Sequence, residues 1–336
     1  MRPVFNIRPV NRQPAREIRY RLYQQTHLEH WEGLLYDWAF RWELIHFPER
    51  RTIQNPAMLT FAADHGMVYH FDQRPAVYDT SLAILDFLND RSAFSAMARS
   101  ERIRVRWVDA GLNTAFDKNV DFWIHREDQF LDRKMGYGSF DPMIKPSMTT
   151  FQLGEAMDKG SEVVSSLYAK GSNTVILGSA GEGGFLGSLL IRAAIEQMKP
   201  SELIDELGIK WHDDLSNLMD RVTNKHPKTT DPFMILNLFG GFDLAMLTGA
   251  ILQAADLRMA IIPGDLQALT ALEIALKWYP SISDYVFHGV DLIDPISARI
   301  TRGLKVKGGI PDNRLPFGYS GVSGLSWLRI AAGIGK

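Results

Sequence analysis

The stretch Thr174–Leu177, Gly178-Ser179-Ala180-Gly181-Glu182-Gly183-Gly184, Phe185-Leu186-Gly187-Ser188 decides how the chain is read. A short apolar run ends in a glycine cluster, and the cluster opens an apolar helical pattern. The same unit recurs along the chain. Met58–Ala63 runs into Asp64-His65-Gly66, and Ile103–Val108 into Asp109-Ala110-Gly111. Phe233–Leu238 runs into Phe239-Gly240-Gly241, Met259–Ile262 into Pro263-Gly264-Asp265, and Tyr285–His288 into Gly289. Helical stretches lie between them, at Ser81–Met97, Phe151–Lys170, Phe185–Met198, Leu244–Ala255 and Leu266–Trp278. Strand, glycine turn and helix, repeated about six times, predict an α/β protein with a Rossmann-like, mostly parallel sheet and helices on both faces. In such sheets ligands bind beyond the carboxyl ends of the strands, where these glycine and aspartate clusters fall.

The 336 residues are 46% hydrophobic, enough for a large core. Lys and Arg total 37 against 39 Asp and Glu, a formal net charge of -2, so nothing drives non-specific binding to nucleic acid or membranes. With 0 cysteines, disulfides, thiolate metal sites and a cysteine nucleophile are excluded. The basic start, Met1 to Arg21, lacks the apolar region of a secretory signal. No apolar run approaches the ~18 residues of a membrane span; Ala245–Ile262 comes nearest and is interrupted by Asp256 and Arg258. A cytoplasmic protein is expected. Arg16 to Glu49, rich in Trp, Tyr, Leu and Glu, reads as amphipathic helices.

Three motifs carry candidate chemistry. In the glycine cluster, backbone N–H groups can approach an anion closely and the following helix N-terminus adds partial positive charge. A phosphate is the natural ligand for Gly178, Ser179, Gly181, Gly183 and Gly184. It is not a Walker loop, since no Gly-Lys-Ser/Thr follows, and Leu186 stands where a dinucleotide fingerprint needs a glycine. Closing a tight βα turn is the competing role. Asp64-His65-Gly66 at a strand end suits acid–base work or sugar binding, or else an Asx turn with a structural histidine. Gly136-Tyr137-Gly138-Ser139-Phe140-Asp141, followed by Lys145-Pro146-Ser147-Met148-Thr149, lies in a long stretch without periodicity and predicts an ordered functional loop. His27 and His30 share a helix face, but no third ligand is near, so a solvated face is the simpler reading. His65 and His288 each sit at a strand end, where a functional and a structural role are both open.

Together these pieces resemble the nicotinate-nucleotide–dimethylbenzimidazole phosphoribosyltransferases. That family's F-A-A-D-H-G is matched by Phe61-Ala62-Ala63-Asp64-His65-Gly66. Its G-T-x-N loop and P-A-M-T resemble Gly138-Ser139-Phe140-Asp141 and Pro146-Ser147-Met148-Thr149. Its phosphate loop is similar to Gly178 through Leu186, and its F-G-G-F-E-x-A to Phe239-Gly240-Gly241-Phe242-Asp243-Leu244-Ala245. A strand ending in histidine is similar to Val286-Phe287-His288. The order is kept from about Phe61 to the C-terminus.

The resemblance implies transfer of phosphoribose from nicotinate mononucleotide, or a related ribosyl phosphate, to an aromatic base, as in assembly of the lower-ligand nucleotide of cobalamin. It implies a homodimer, with Trp31, Leu34, Leu35 and Trp38 as a candidate apolar stripe, and no metal or other cofactor. It also implies a helical segment at 1–55, an α/β nucleotide-binding domain at 56–300 and a closing segment at 301–336, the two ends forming a smaller helical domain. Gly138, Ser139, Asp141 and the glycine cluster would hold phosphate and ribose. Arg221, near the family's phosphate-binding lysine, could join them bidentately. Asp64, His65, Gly66, Tyr319, Ser320 and Gly321 would surround the base, with Tyr69, Phe71 and Tyr78 as further flat walls.

The chain departs from the pattern at two carboxylates. Gly321, within Ser320-Gly321-Val322-Ser323-Gly324, stands where the family has its closing glutamate, and Ser179 stands where it has a glutamate in the phosphate loop. A carboxylate accepting the proton of the attacking base is worth about 10²–10⁴-fold in rate. Three readings follow: a relocated base, with Glu182 first and Asp64, Asp141 and Asp265 as others; a different acceptor, such as another azole or a phenol; or binding without turnover, as a regulatory or partner subunit.

Overall fold

A computed structural model of the chain describes residues 3–26, 33–49, 51–70, 80–116, 126–208, 213–288 and 318–334. Its centre is β1 (Ala57–Ala63), whose seven residues are all buried. A strand apolar on both faces belongs in the middle of a covered parallel sheet. It pairs on one side with β2 (Arg104–Gly111), which carries β3 (Phe130–Asp132), and on the other with β4 (Thr174–Ala180), which carries β5 (Ala260–Pro263). The five strands run in the order β3-β2-β1-β4-β5 and every pairing is parallel. The α/β parallel-sheet expectation therefore holds.

The helices are α1 (Ala15–Thr26), α2 (Leu34–His46), α3 (Thr80–Leu88), α4 (Ala93–Ser100), α5 (Thr150–Ala169), α6 (Gly184–Glu196) and α7 (Pro200–Glu206). Then come α8 (Asp213–Asn224), α9 (Pro232–Phe239), α10 (Phe242–Asp256), α11 (Leu266–Trp278) and α12 (Ser320–Ile334). Helix α10 lies across β1, β2, β4 and β5 and packs along α5. Helix α11 covers β4 and β5 and touches α6. Helices α1, α2 and α12 pack on one another, and α12 also reaches β4 and β5. The apolar side chains of these elements join one continuous hydrophobic cluster.

Three expectations are corrected. Phe233–Leu238 is not a strand but most of α9: Asp231 caps it by accepting the Phe233 N–H at 3.0 Å, and Pro232 opens it with its φ already helical. Tyr285–His288 does not form a strand either. A 3-10 turn at Pro280–Tyr285 leads into a single parallel bridge between Val286 and Ile261. Ser81–Met97 is two helices, because Asp90 turns left-handed (φ 61) and Ser92 caps α4.

Trp38, expected on a dimer stripe, is buried within this chain and meets Phe287 edge-on at 5.6 Å. Leu34 and Leu35 are partly buried against the same core. Trp31, His27, His30, Phe71, Tyr78, Gly289 and the 300/301 boundary lie outside the described residues, as does the side chain of Tyr69. Among the described residues no helix is long and apolar enough to cross a membrane.

Candidate active site

The strand order reverses at β1. The chain leaves β1 for β2 and β3 on one side and returns to β4 and β5 on the other. The loops after β1 and β4 meet at the carboxyl end of the sheet, where sheets of this kind bind their ligands. Asp64-His65-Gly66 lies directly against Gly181-Glu182-Gly183-Gly184, with the His65 N–H donating to the Glu182 carbonyl at 2.9 Å.

Asp64 ties three loops together. Its Oδ1 accepts the Glu182 N–H at 2.9 Å and its Oδ2 the Asn113 N–H at 2.7 Å. Its carbonyl accepts the Ser139 N–H at 2.9 Å. The carboxylate thus reaches beyond an Asx turn and sets the spacing of the loops after β1, β2 and β4. Gly66 lies directly under the 138–141 loop, where a Cβ would stand 2.6 Å from the Ser139 carbonyl oxygen and 2.7 Å from the Asp141 nitrogen. Gly138 is left-handed (φ 77), and Asp141 Oδ1 accepts the Met143 N–H at 2.9 Å. Ser147 donates through both N–H and Oγ to the Leu238 carbonyl, and Thr149 begins α5 with a capping box to Gln152. The long loop is ordered by these bonds.

In the glycine cluster, Gly181 has φ 122, and a Cβ there would overlap the Ala63 carbonyl oxygen. Only glycine lets the β4 turn lie this close to β1. Gly183 (φ 87) is the N-cap of α6 and has no side chain to cap it, so the first-turn N–H groups receive no side-chain acceptor from the cap. The loop from Gly181 to Gly183 is half-buried.

Behind it runs a buried polar chain. His65 Nε2 lies 2.9 Å from Asp243 Oδ1, and Ser179 Oγ donates to Asp243 Oδ2 at 2.7 Å. The Ser179 N–H donates to Asp265 Oδ2 at 2.6 Å, while Asp265 Oδ1 caps α11 through the Ala268 N–H at 2.8 Å. Burial alone lowers the His65 pKa, but the charge and hydrogen bond of Asp243, with Asp64 beyond, outweigh it and hold the pKa above its ordinary value. Asp265 is pushed up to about 7, chiefly by desolvation and further by the Asp243 charge, against the pull of its backbone N–H donors. Asp243 is visible in the sequence only as part of Phe239–Ala245; an acidic residue in the first turn of an otherwise apolar helix is the signal available. Among the described residues no group of three or more His, Asp and Glu is arranged to hold a metal ion.

The start of α12 closes over the ends of β4 and β5. A Cβ at Gly318 would overlap Gly178, and one at Gly264 would overlap the Gly318 carbonyl. Tyr319 is fully buried and stacks on Phe94 at 4.1 Å with 21° between the rings. That gives it a packing contact in place of the open aromatic wall expected. Ser320 is also buried. Gly321 faces the sheet, where a Cβ would stand 2.5 Å from Ile176 Cγ2 and 3.1 Å from Gly264 Cα. Arg221 is exposed on α8, and among the described residues it makes no hydrogen bond or ion pair to the glycine cluster. His288 is buried at the end of the Val286 bridge, and desolvation lowers its pKa to about 4. A neutral, enclosed ring favours the structural of its two readings.

Comparison with known proteins supplies the remaining observation. A phosphoribosyltransferase family model matches residues 7–312. The chain belongs to the nicotinate-nucleotide–dimethylbenzimidazole phosphoribosyltransferase family. A family member from Janthinobacterium sp. (strain Marseille) is 29% identical over 262 residues, 75% of this chain and 72% of that one. One from Shewanella sediminis is 24% identical over 98% of this chain and 96% of its own. The fold is that of the crystal structure of CobT from Thermus thermophilus, with a TM-score of 0.82, 21% identity and 96% and 95% of the two chains covered. Within this phosphoribosyltransferase family, positions 179 and 321, where the resemblance gives glutamates, are here a serine between two carboxylates and a glycine pressed on Ile176.

Proposed function

We propose that this protein binds nicotinate mononucleotide, or a close ribosyl phosphate, at the carboxyl ends of β1 and β4 and transfers its phosphoribose to a flat aromatic base. The observation that carries the reading is the position of the glycine cluster: it opens α6 at the strand-order reversal, with no side-chain cap competing for an anion. The phosphate would sit on the first turn of α6. Gly138, Ser139 and Asp141, in the loop that Asp64 holds beside it, would face the ribose. In the reaction, a base nitrogen attacks C1′ as the C1′–N bond to nicotinate breaks, and the departing ring loses its positive charge. The leaving group needs no acid; the incoming azole needs a proton acceptor.

Position 321 argues that this acceptor does not come from the start of α12, because Gly321 points at Ile176. The same observation favours a second reading, a family member that binds the nucleotide without turnover. We also propose a homodimer, a cytoplasmic location and a helical unit made from the two ends of the chain. The test is incubation with nicotinate mononucleotide and a panel of benzimidazoles, simpler azoles and phenols, read by mass spectrometry for ribotide. A ribotide with at least one acceptor supports transfer. Saturable nucleotide binding with no product across the panel supports the non-catalytic reading instead.

A further inference from the structure

We infer that Asp64 is a positioning residue for the nucleotide: its carboxylate presets the phosphate loop and its neighbours in the arrangement that binds, and it acts through those loops and not on the reacting atoms. The inference deepens the reading above and rests on it. It begins from the backbone of the glycine cluster. Gly181 (φ 122) and Gly183 (φ 87) stand on either side of Glu182. Glycine at both positions leaves the loop several backbone arrangements, and a contact from outside has to select one. The end of β1 makes that contact. Asp64 Oδ1 accepts the Glu182 N–H at 2.9 Å, and the Glu182 carbonyl accepts the His65 N–H at 2.9 Å, so both backbone polar groups of Glu182 are fixed to β1. The N–H groups of Ser179 and Glu182 are taken by Asp265 and Asp64. Gly183 and Gly184, which open α6, then remain as the loop's donors to an anion, since the first N–H groups of a helix have no acceptor within it.

The same carboxylate reaches further. Asp64 Oδ2 accepts the Asn113 N–H at 2.7 Å, and Lys134 Nζ donates to the carbonyls of Leu112 at 2.5 Å and Thr114 at 3.2 Å, so the loop after β2 is pinned from both sides. The Asp64 carbonyl accepts the Ser139 N–H at 2.9 Å, and the Gly138 N–H donates to the Gly111 carbonyl at 3.0 Å, which hangs the 138–141 loop from the ends of β1 and β2. A neutral amide in place of the carboxylate cannot keep both side-chain bonds: it has one oxygen, and its NH2 group would face a second N–H donor. Bonds to an ionised acceptor are also about twice as strong as neutral ones. Loops held in this way are ordered before the ligand arrives, and the nucleotide binds without having to order them.

The experiment compares Asp64→Asn and Asp64→Ala with the native protein by calorimetric titration of nicotinate mononucleotide, by transfer kinetics, by urea unfolding and by amide hydrogen exchange. Binding and rates are measured well below the unfolding transition of each variant. Asp64→Asn loses one bond and should weaken the nucleotide about tenfold, with its KM rising in step and kcat at saturation staying within about threefold. Asp64→Ala loses both and should weaken it further. Exchange at the Glu182 and Asn113 amides should quicken in both variants, while the amides within β1 and β4 stay protected. Native affinity in Asp64→Asn would overturn the inference. A lowered unfolding midpoint with native affinity and KM would overturn it as well, by giving Asp64 a structural role alone. A kcat about 10²-fold down at unchanged affinity would overturn it by making Asp64 the proton acceptor itself. If the native protein transfers to no acceptor, affinity and exchange still decide the matter. If it binds no nucleotide, the binding reading fails on the native protein before any variant is compared, and this inference falls with it.

Discussion

Gly321→Glu, the substitution that would restore the family's closing carboxylate, is expected to destabilise the protein without creating activity. Gly321 lies in the first turn of α12 with an ordinary helical backbone, so a side chain meets no conformational penalty. Replacing glycine by alanine inside a helix would by itself gain about 1 kcal/mol. The space is what forbids it. The nearest atom to a new Cβ is Ile176 Cγ2 at 2.5 Å, with Gly264 Cα at 3.1 Å and Ile262 Cγ2 at 3.5 Å. Both isoleucines are fully buried and cannot swing aside. Overpacking of this kind costs about 1–3 kcal/mol, so Gly321→Ala should lose about 0–2 kcal/mol net. Glutamate adds a carboxylate directed at an apolar sheet face, a further few kcal/mol unless α12 shifts outward. Urea unfolding at neutral pH should therefore place the midpoints in the order native, alanine, glutamate, and the ribotide assay should show no gain for the glutamate variant. A glutamate variant that unfolds at the native midpoint and transfers to dimethylbenzimidazole would refute this packing argument.

His65→Ala should cost about 3–5 kcal/mol in the same unfolding assay, because it takes the imidazole from the buried Asp243 carboxylate and leaves it the Ser179 hydroxyl. His65 has a raised folded pKa, so the stability it contributes is fully present below about 6.5 and is lost as pH rises through the folded value; the alkaline fall in midpoint should disappear in His65→Asn. His46 and His288, both lowered to about 4, act in the opposite sense: their contribution is present above about 6.5 and is lost as pH falls toward 4. Gly184→Asp should weaken nicotinate mononucleotide binding about tenfold or more in calorimetry, since the nearest atoms to its Cβ belong to the Gln267 side chain, which can swing aside, while its charge opposes the phosphate. Gly181→Asp, by contrast, should unfold early with or without ligand, because the Ala63 carbonyl leaves no room for a side chain.

How much of this is legible in the sequence differs from element to element. The apolar period of Leu266–Trp278 gives the helix the bounds it has, and β1 is legible within a residue because it is an unbroken apolar run ended by aspartate; β4 starts at Thr174 as expected but runs three residues past Leu177, so Gly178, Ser179 and Ala180 are strand and not loop. Phe233–Leu238 misleads for the same reason: an apolar run of that length is equally a buried helix, and the deciding cue, Asp231-Pro232, lies just before it. β3, only three residues long, is too short to show any period. At the site, the glycine cluster and Asp64-His65-Gly66 are visible as positions, but their roles are not. That Asp64 brackets loops while Asp243 and Asp265 flank Ser179 depends on contacts across 49 to 118 residues for the first and 64 and 86 for the others, which no local pattern records.

The central claim, that the carboxyl ends of β1 and β4 take a ribosyl phosphate, is tested most directly by a crystal structure with nicotinate mononucleotide. The account predicts the phosphate on the first turn of α6, against the Gly183 and Gly184 N–H groups, with the ribose toward Gly138–Asp141. A nucleotide bound elsewhere on the chain, or its phosphate held away from α6, would contradict it.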